Sequence, residues 1–382
     1  MKRKQIYVLG LALLLVPACK AKAKKPGTDV TTTPGVNTEI SVTPDLGNTQ
    51  NPTTAVYGGT ASFAAVTADE MTKELFLEGL FTRDEQRAIA PAVAASYEVN
   101  ADATVYTIFL REGMRWSDGV PFTADDCVFY YDHLCVPKVT GNEIPSCFWG
   151  SDGKRATFEK VSQYVFRVKF TGRKANFIEE MMDNGVLCFA PEHYYVNLLP
   201  EYMGEDAAKA KAEDMGYTDV KTFLNGVLSA PWNTKAVPTL CPFVLSTADG
   251  ENDVKGAYYV FLKNPYYWKK DAAGNALPYL EKLEFTRISG DSQGMLLTTE
   301  GYLSLYRLQS RAQCEEANQL ATHGKYHVID WGGGWYFAVA DNLHGFPQVR
   351  PPQVQDVTAE SLAGRLWGAA HVENWYITNR DN

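Results

Sequence analysis

The chain of 382 residues lacks several things that would fix its class at once. Positive charge is not in surplus: the formal net charge is −9. An acidic chain repels phosphate backbones, which argues against nucleic acid as a partner. The seven cysteines include no CxxC pair and no Cys/His spacing of the zinc-binding kind. Histidine is scarce, with six in all. His323 and His327 stand four apart, but Gly324 and an apparent strand after it spoil a helical metal pair. No internal repeat is present, so a solenoid is excluded. The apolar run Ile6 to Val16 is eleven residues, where a helix needs about 20 to span a bilayer.

What that run does resemble is an export signal. Lys2, Arg3 and Lys4 precede it, and Ala18 stands before Cys19. The ending Val16-Pro-Ala-Cys19 resembles a lipobox, which implies cleavage after residue 18 and lipid attachment to the Cys19 sulfur. Acyl chains there would anchor the mature chain to a membrane. Residues 20–54 begin with Lys20, Lys22, Lys24 and Lys25 and continue rich in Thr, Pro, Gly and Asn. So few large apolar side chains cannot bury a core, and the sequence predicts a disordered tether over 19–56. Beyond it, 45% hydrophobic and 21% charged residues are globular values.

Folded structure is predicted from residue 57. Thr67-Ala-Asp-Glu70 and Thr123-Ala-Asp-Asp126 read as capping boxes, with Val66/Met71 and Phe122/Cys127 as hydrophobic staples. Cys127, Val128, Tyr131 and Leu134 continue the second helix as an apolar stripe. Val105–Leu110, Tyr164–Phe170, Tyr258–Lys263 and Lys282–Ile288 read as strands. Helices and strands are interspersed, so the class is α/β or α+β with a mixed sheet. Six cysteines follow Cys19, an even number that export permits to pair in any of fifteen ways. Cys135 and Cys147 flank a loop and are the first candidates for a bridge; buried thiols are the alternative.

An ordered series of motifs then resembles one family. Leu77-Glu-Gly-Leu80 is followed by Ala90–Val99, Tyr106–Gly119 and Pro121–Asp126. Thr157-Phe-Glu-Lys160, Ala190-Pro-Glu-His193, Pro238-Thr-Leu240, Asn264–Trp268 and Leu277-Pro-Tyr-Leu280 come after. The series resembles the family 5 extracellular solute-binding proteins, the oligopeptide- and dipeptide-binding components of ABC importers. The resemblance implies a periplasmic-binding-protein-like type II lobe facing a ligand cleft. It implies no catalysis and no metal or organic cofactor. The partners it implies are a peptide or other small solute and the permease subunits of an importer. The expected layout is a signal over 1–18, the tether over 19–56, and a large lobe over 57–310. A subdomain is inserted in that lobe at about 85–230, and 311–382 begins a second lobe, incomplete or divergent. Where the family has Gly-Glu-Ile-Asp, this chain reads Glu300-Gly-Tyr-Leu-Ser304. A weak echo of the family's next helix runs from Thr358 to Ala370.

Candidate ligand contacts are of two kinds. Ala65, Val66 and Thr67 lie on a segment that lines the cleft in similar proteins, through backbone groups. Trp331-Gly-Gly-Gly-Trp335-Tyr336 combines close backbone approach with an aromatic wall. A different class of function would be a truncated, non-transporting homologue or a surface interaction lipoprotein. A third is a serine hydrolase: Gly290-Asp-Ser-Gln-Gly294 fits G-x-S-x-G, with Ser292 as nucleophile. Asp330 or Asp341 and His344 or His371 follow in the required order. The competing reading is a strand-to-helix turn capped by Asp291 or Ser292. Glu179-Glu180 and Glu315-Glu316 read as solvated helix faces.

Overall fold

The computed structural model describes residues 40–41, 58–65, 78–83, 88–229, 237–248, 258–270, 274–300, 302–308, 310–321, 326–332 and 335–340. The signal, Cys19, the Thr67–Glu70 box, His323, His344, His371 and the stretch 358–370 lie outside these. So does the tether, except Ile40–Ser41. Those two residues pair in parallel with Lys269–Lys270, so this short piece of the expected tether forms a bridge of strand.

The first sheet is four-stranded and antiparallel, in the order Ala94–Val99, Val105–Leu110, Val165–Lys169, Thr157–Ser162. Alternation in sequence explains it: Tyr106, Ile108 and Leu110 point to the core, as do Phe166 and Val168 across the ladder. The turn into Val105–Leu110 is held by Asn100, whose Oδ1 accepts from the amides of Thr104 (2.8 Å) and Val105 (2.9 Å). Helix Phe177–Asp183 closes the buried face with Phe177, Ile178 and Met181.

Helix Ala124–Phe129 begins as the sequence predicts. The Asp125 amide donates to Thr123 Oγ1 at 3.3 Å, and the Thr123 amide donates to Asp126 Oδ2 at 2.8 Å. Phe122 and Cys127 are both buried beside it. From Tyr130 to Cys135 the helix widens into a π-turn rather than continuing as α, and the Val136 amide reaches back to the Tyr131 carbonyl at 2.9 Å. The wider turn still buries Tyr131 and Leu134. Tyr131 stacks on Phe158 with ring centroids 4.1 Å apart. Leu134 faces a second core, in a helical module spanning Glu192–Ser229, with Phe223, Leu224 and Val227 of the helix Val220–Ser229.

The second sheet has seven strands. Their order is Tyr326–Gly332, Trp335–Ala340, Leu305–Leu308, Thr60–Ala65, Lys282–Arg287, Tyr258–Lys263, Phe243–Ala248. Thr60–Ala65 is central and pairs in parallel with Leu305–Leu308 on one side and Lys282–Arg287 on the other. Helix Asp291–Thr299 carries the chain from Lys282–Arg287 across to Leu305–Leu308, and helix Arg311–Ala321 leads on to Tyr326–Gly332. These are crossover units of the parallel α/β kind. The four-stranded sheet and the helical module both fall in the chain between Thr60–Ala65 and Phe243–Ala248.

Buried polar pairs tie the two regions together. The Ser117 amide donates to the Thr239 carbonyl at 3.0 Å, and the Thr239 amide donates to Ser117 Oγ at 3.0 Å. Glu78 is fully buried against Lys269 (3.1 Å) and accepts from the Tyr267 hydroxyl at 2.5 Å. Asn264 Nδ2 donates to the Cys241 carbonyl at 2.8 Å, and Pro265 ends the strand there. Of the three aromatics that follow, Tyr267 and Trp268 pack inward, whereas Tyr266 stays exposed against Gly119. Gly119 has φ +90°, and a Cβ there would lie 3.0 Å from the Tyr266 ring.

Candidate functional site

The register of the seven-stranded sheet sets the candidate site. Ala65 is opposite Arg287, Leu305 opposite Phe63, and Leu308 opposite Tyr336. Tyr336 also faces Asp330, and Gly332 faces Trp335. Strands Thr60–Ala65, Lys282–Arg287, Leu305–Leu308 and Tyr326–Gly332 therefore all run the same way, and their carboxyl ends share one edge of the sheet. Ala65 ends the central strand at that edge. Trp331, Trp335 and Tyr336 belong to the two outer strands and reach the same edge. Val66 and Thr67 follow Ala65 directly and lie outside the described residues. Parallel α/β sheets offer ligands a crevice at the carboxyl ends of their strands, where neighbouring connections diverge. The chain leaves Ala65 toward the inserted region and leaves Arg287 toward helix Asp291–Thr299.

In the stretch 331–336 the described residues are strand. Trp331 and Gly332 close one strand, and Trp335 opens its antiparallel partner.

Ser292 stands in the first turn of helix Asp291–Thr299. The helix starts at Asp291 with Gly290 as its N-cap, so neither Asp291 nor Ser292 caps it. Gln293 Oε1 instead accepts from the Ser289 amide at 2.9 Å, binding the turn from inside the helix. The Asp291 carboxylate is engaged by the Tyr306 hydroxyl at 3.2 Å and Gln313 Nε2 at 2.7 Å. Ser292 is exposed, while Gly294 is buried against Tyr306; a Cβ on Gly294 would fall 2.1 Å from that ring. The second glycine of the motif is thus required by packing. Of the acidic pairs, Glu180 is bound by Lys174 at 2.6 Å, and Glu315 is exposed beside Arg311.

The burial of two charged groups, Asp126 and Glu78, is not legible in the sequence. Asp126 is buried, and burial pushes its carboxyl up to about 6 against the amides of Thr123 and Glu192, which favour the charge. Beside it His193 Nε2 lies 2.8 Å from Asp118 Oδ2. Glu78 is raised by burial, with Lys269 and Tyr267 opposing. Leu77-Glu-Gly-Leu80 carried only the family signal; nothing local marks its glutamate as buried. Cys135 and Cys147 stand as separate thiols, against the expected bridge. Both are half-buried or buried in the apolar core, where desolvation pushes them up to about 11 and about 12. Among the described residues no cluster of three His, Cys, Asp or Glu side chains could hold a metal ion, and no helix is long and apolar enough to cross a membrane.

Comparison with known proteins gives a consistent set. A periplasmic alpha-galactoside-binding protein of Rhizobium meliloti is 30% identical over 200 residues, covering 51% of this chain and 25% of that protein. The dipeptide-binding protein DppE of Bacillus subtilis is 21% identical over 273 residues, 71% of this chain and 44% of that protein. The chain thus spans less than half the length of either relative. The solved structure of an oligopeptide-binding protein OppA superposes with a TM-score of 0.62 at 22% identity, covering 72% of this chain and 43% of that one. The sheet and its crossovers are therefore a periplasmic-binding-protein fold. The profile of the bacterial extracellular solute-binding proteins, family 5, matches residues 88–343. With two thirds of its length matched, the chain belongs to the bacterial extracellular solute-binding proteins, family 5.

Proposed function

We propose that the chain binds a peptide-like solute outside the cytoplasm and passes it to the permease of an ABC importer, without catalysing a reaction on it. The observation that carries this reading is the shared carboxyl edge, where Ala65, Trp331, Trp335 and Tyr336 converge in register. In this reading the backbone of Ala65 to Thr67 binds the extended solute as an added strand would, and the aromatics form the wall. The mature chain is a lipoprotein held at the envelope through Cys19. DppE, which matches most of the chain, supports a peptide-like solute.

A second reading is an oligosaccharide with alpha-galactosyl units. It is favoured by the 30% identity to the alpha-galactoside-binding protein. Aromatic walls suit sugar faces as well as peptide side chains. Titration calorimetry of the whole chain with a di- to pentapeptide library and with alpha-galactosides separates the two. Heat from the peptides alone is the expected result, heat from the sugars alone selects the second reading, and heat from neither overturns both. Cys19→Ser is expected to remove labelling by an alkynyl fatty acid and to release the chain from membranes; labelling that persists overturns the anchor.

A further inference from the structure

Two arginines flank the central strand of the seven-stranded sheet at its carboxyl edge. Phe63 and Phe285 stand opposite each other in register, and their rings stack with centroids 5.1 Å apart, so both lie on one face of the sheet. Arg287 comes two residues after Phe285 and therefore on that face, level with Ala65. On the other side of the central strand Leu305 stands opposite Phe63, which brings Arg307, two residues further on, level with Ala65 as well. Tyr306 turns the opposite way. Its hydroxyl reaches Asp291 Oδ1 at 3.2 Å, and its ring packs with Ala64, Ile288 and Leu308 beneath helix Arg311–Ala321. Alternation then sends Arg307 to the face of Phe63 and Arg287. Neighbouring strands lie about 4.8 Å apart, so the two arginine positions are roughly 10 Å apart across Ala65.

The nearby carboxylates are taken up elsewhere. Asp291 is engaged by Tyr306 and Gln313 on the helix-covered face. Glu284, one position before Phe285, faces away from the arginines and is held by Lys282 and Ser62. Glu315 belongs to Arg311. Among the described residues no carboxylate pairs with Arg287, which is exposed; Arg307 is half-buried. In a chain of formal net charge −9, two guanidinium groups on one face at one edge are a local exception. A guanidinium is a planar fork that meets a carboxylate through two hydrogen bonds, and it keeps its charge when partly desolvated.

We propose that this edge recognises an acid: Arg287 and Arg307 close on a carboxylate of the solute over the central strand at Ala65. The inference rests on the solute-binding reading above and narrows it, to a peptide with a free carboxylate against a neutral oligosaccharide. The two arginines come from the strands on either side of the central one, so a carboxylate between them is fixed in position as well as matched in charge. Arg307 stands opposite Phe337 of strand Trp335–Ala340, which puts the aromatic strands on the Arg307 side. The solute then runs from its carboxylate at Ala65 outward along that side.

The test is calorimetry on the whole chain with one di- to pentapeptide library in three forms: with free carboxyl ends, as C-terminal amides, and as amides that carry one glutamate. The free acids are expected to bind about tenfold to a hundredfold more tightly than the amides, the range of charge-assisted hydrogen bonds. Recovery in the glutamate amides assigns the site to any carboxylate of the peptide, and no recovery assigns it to the terminal one. Arg287→Gln and Arg307→Gln should each erase the difference between acid and amide. Arg287→Lys, which keeps the charge but not the fork, should retain part of it. Arg287 is exposed, so replacing it leaves the core intact, and amidation probes the site with no substitution at all. Amides that bind as tightly as acids, or an acid preference that survives Arg287→Gln within about twofold, overturn the arginine site and leave solute binding standing. Heat from no peptide in any form overturns this inference, and alpha-galactosides then tell a sugar binder from a failure of the solute-binding reading itself.

Discussion

Glu78 shows how a single buried charge is held. Its carboxylate is inside the protein, 3.1 Å from Lys269 Nζ and 2.5 Å from the Tyr267 hydroxyl. Burial pushes its pKa up more than Lys269 and Tyr267 pull it down. Removing one partner strands the other, which costs roughly 3–5 kcal/mol in comparable pairs. Glu78→Ala should therefore lower stability to chemical denaturation by about that amount, while Glu78→Met with Lys269→Met should recover most of it; equal losses in both chains would mean that the charges are not the cause. Asp126 carries a pH signature of definite sign. Its folded pKa of about 6 lies above the ordinary 3.8. Between these values the folded chain keeps a proton that the unfolded chain has lost, so stability falls as pH rises from about 4 to 6. Two pKa units correspond to roughly 3 kcal/mol at most. Asp126→Asn should flatten that part of the stability–pH curve, even though it weakens the Thr123 cap; an unchanged slope would assign the titration to another group.

At the scale of elements, local chemistry was legible where it is local in sequence. Thr123 and Asp126 announce their helix because both cap bonds join residues within three positions. Val105–Leu110 and Tyr258–Lys263 are strands over the predicted bounds, since alternation is enough to define them. The π-turn at Tyr130–Cys135 was not legible. Its apolar stripe fits an α-helix equally well, and the contacts Tyr131 makes there, with Phe158 and Phe148, are distant in sequence. The start of helix Asp291–Thr299 was misplaced for a similar reason: Asp291 is a good cap by type, but Tyr306 and Gln313 claim its carboxylate. Gly294 tests that packing. Alanine is a better helix former than glycine by about 1 kcal/mol. Gly294→Ala should nonetheless destabilise the chain, by roughly 1–3 kcal/mol, because its Cβ would overlap the Tyr306 ring. Gly294→Ala with Tyr306→Leu should restore much of the loss in urea melts, and an alanine variant as stable as the parent would show that the ring yields freely.

At the scale of the whole molecule, the candidate site depends on pairings between residues far apart in the chain. Ala65 meets Arg287 across the sheet, and Phe63 meets Leu305. No local pattern encodes such parallel register, so composition and periodicity gave strands without their order. The family motifs supplied the expectation of a cleft, and the register brings Ala65, Trp331, Trp335 and Tyr336 to one edge of the sheet. A site built this way should separate binding from folding. A bound solute at a hundred times its Kd adds about 2.7 kcal/mol to stability. At roughly 2–4 °C per kcal/mol for domains of moderate size, that is a rise in Tm of several degrees. Because the three aromatics lie in the outermost strands of the sheet, Trp331→Ala and Trp335→Ala should weaken the solute about tenfold or more, the scale of an aromatic anchor. They should leave the seven-stranded ladder, read by far-ultraviolet circular dichroism of the free chain, as it is. Variants that keep the parent Kd within twofold would move the aromatic wall away from this edge, and the central strand at Ala65 would have to supply the binding alone.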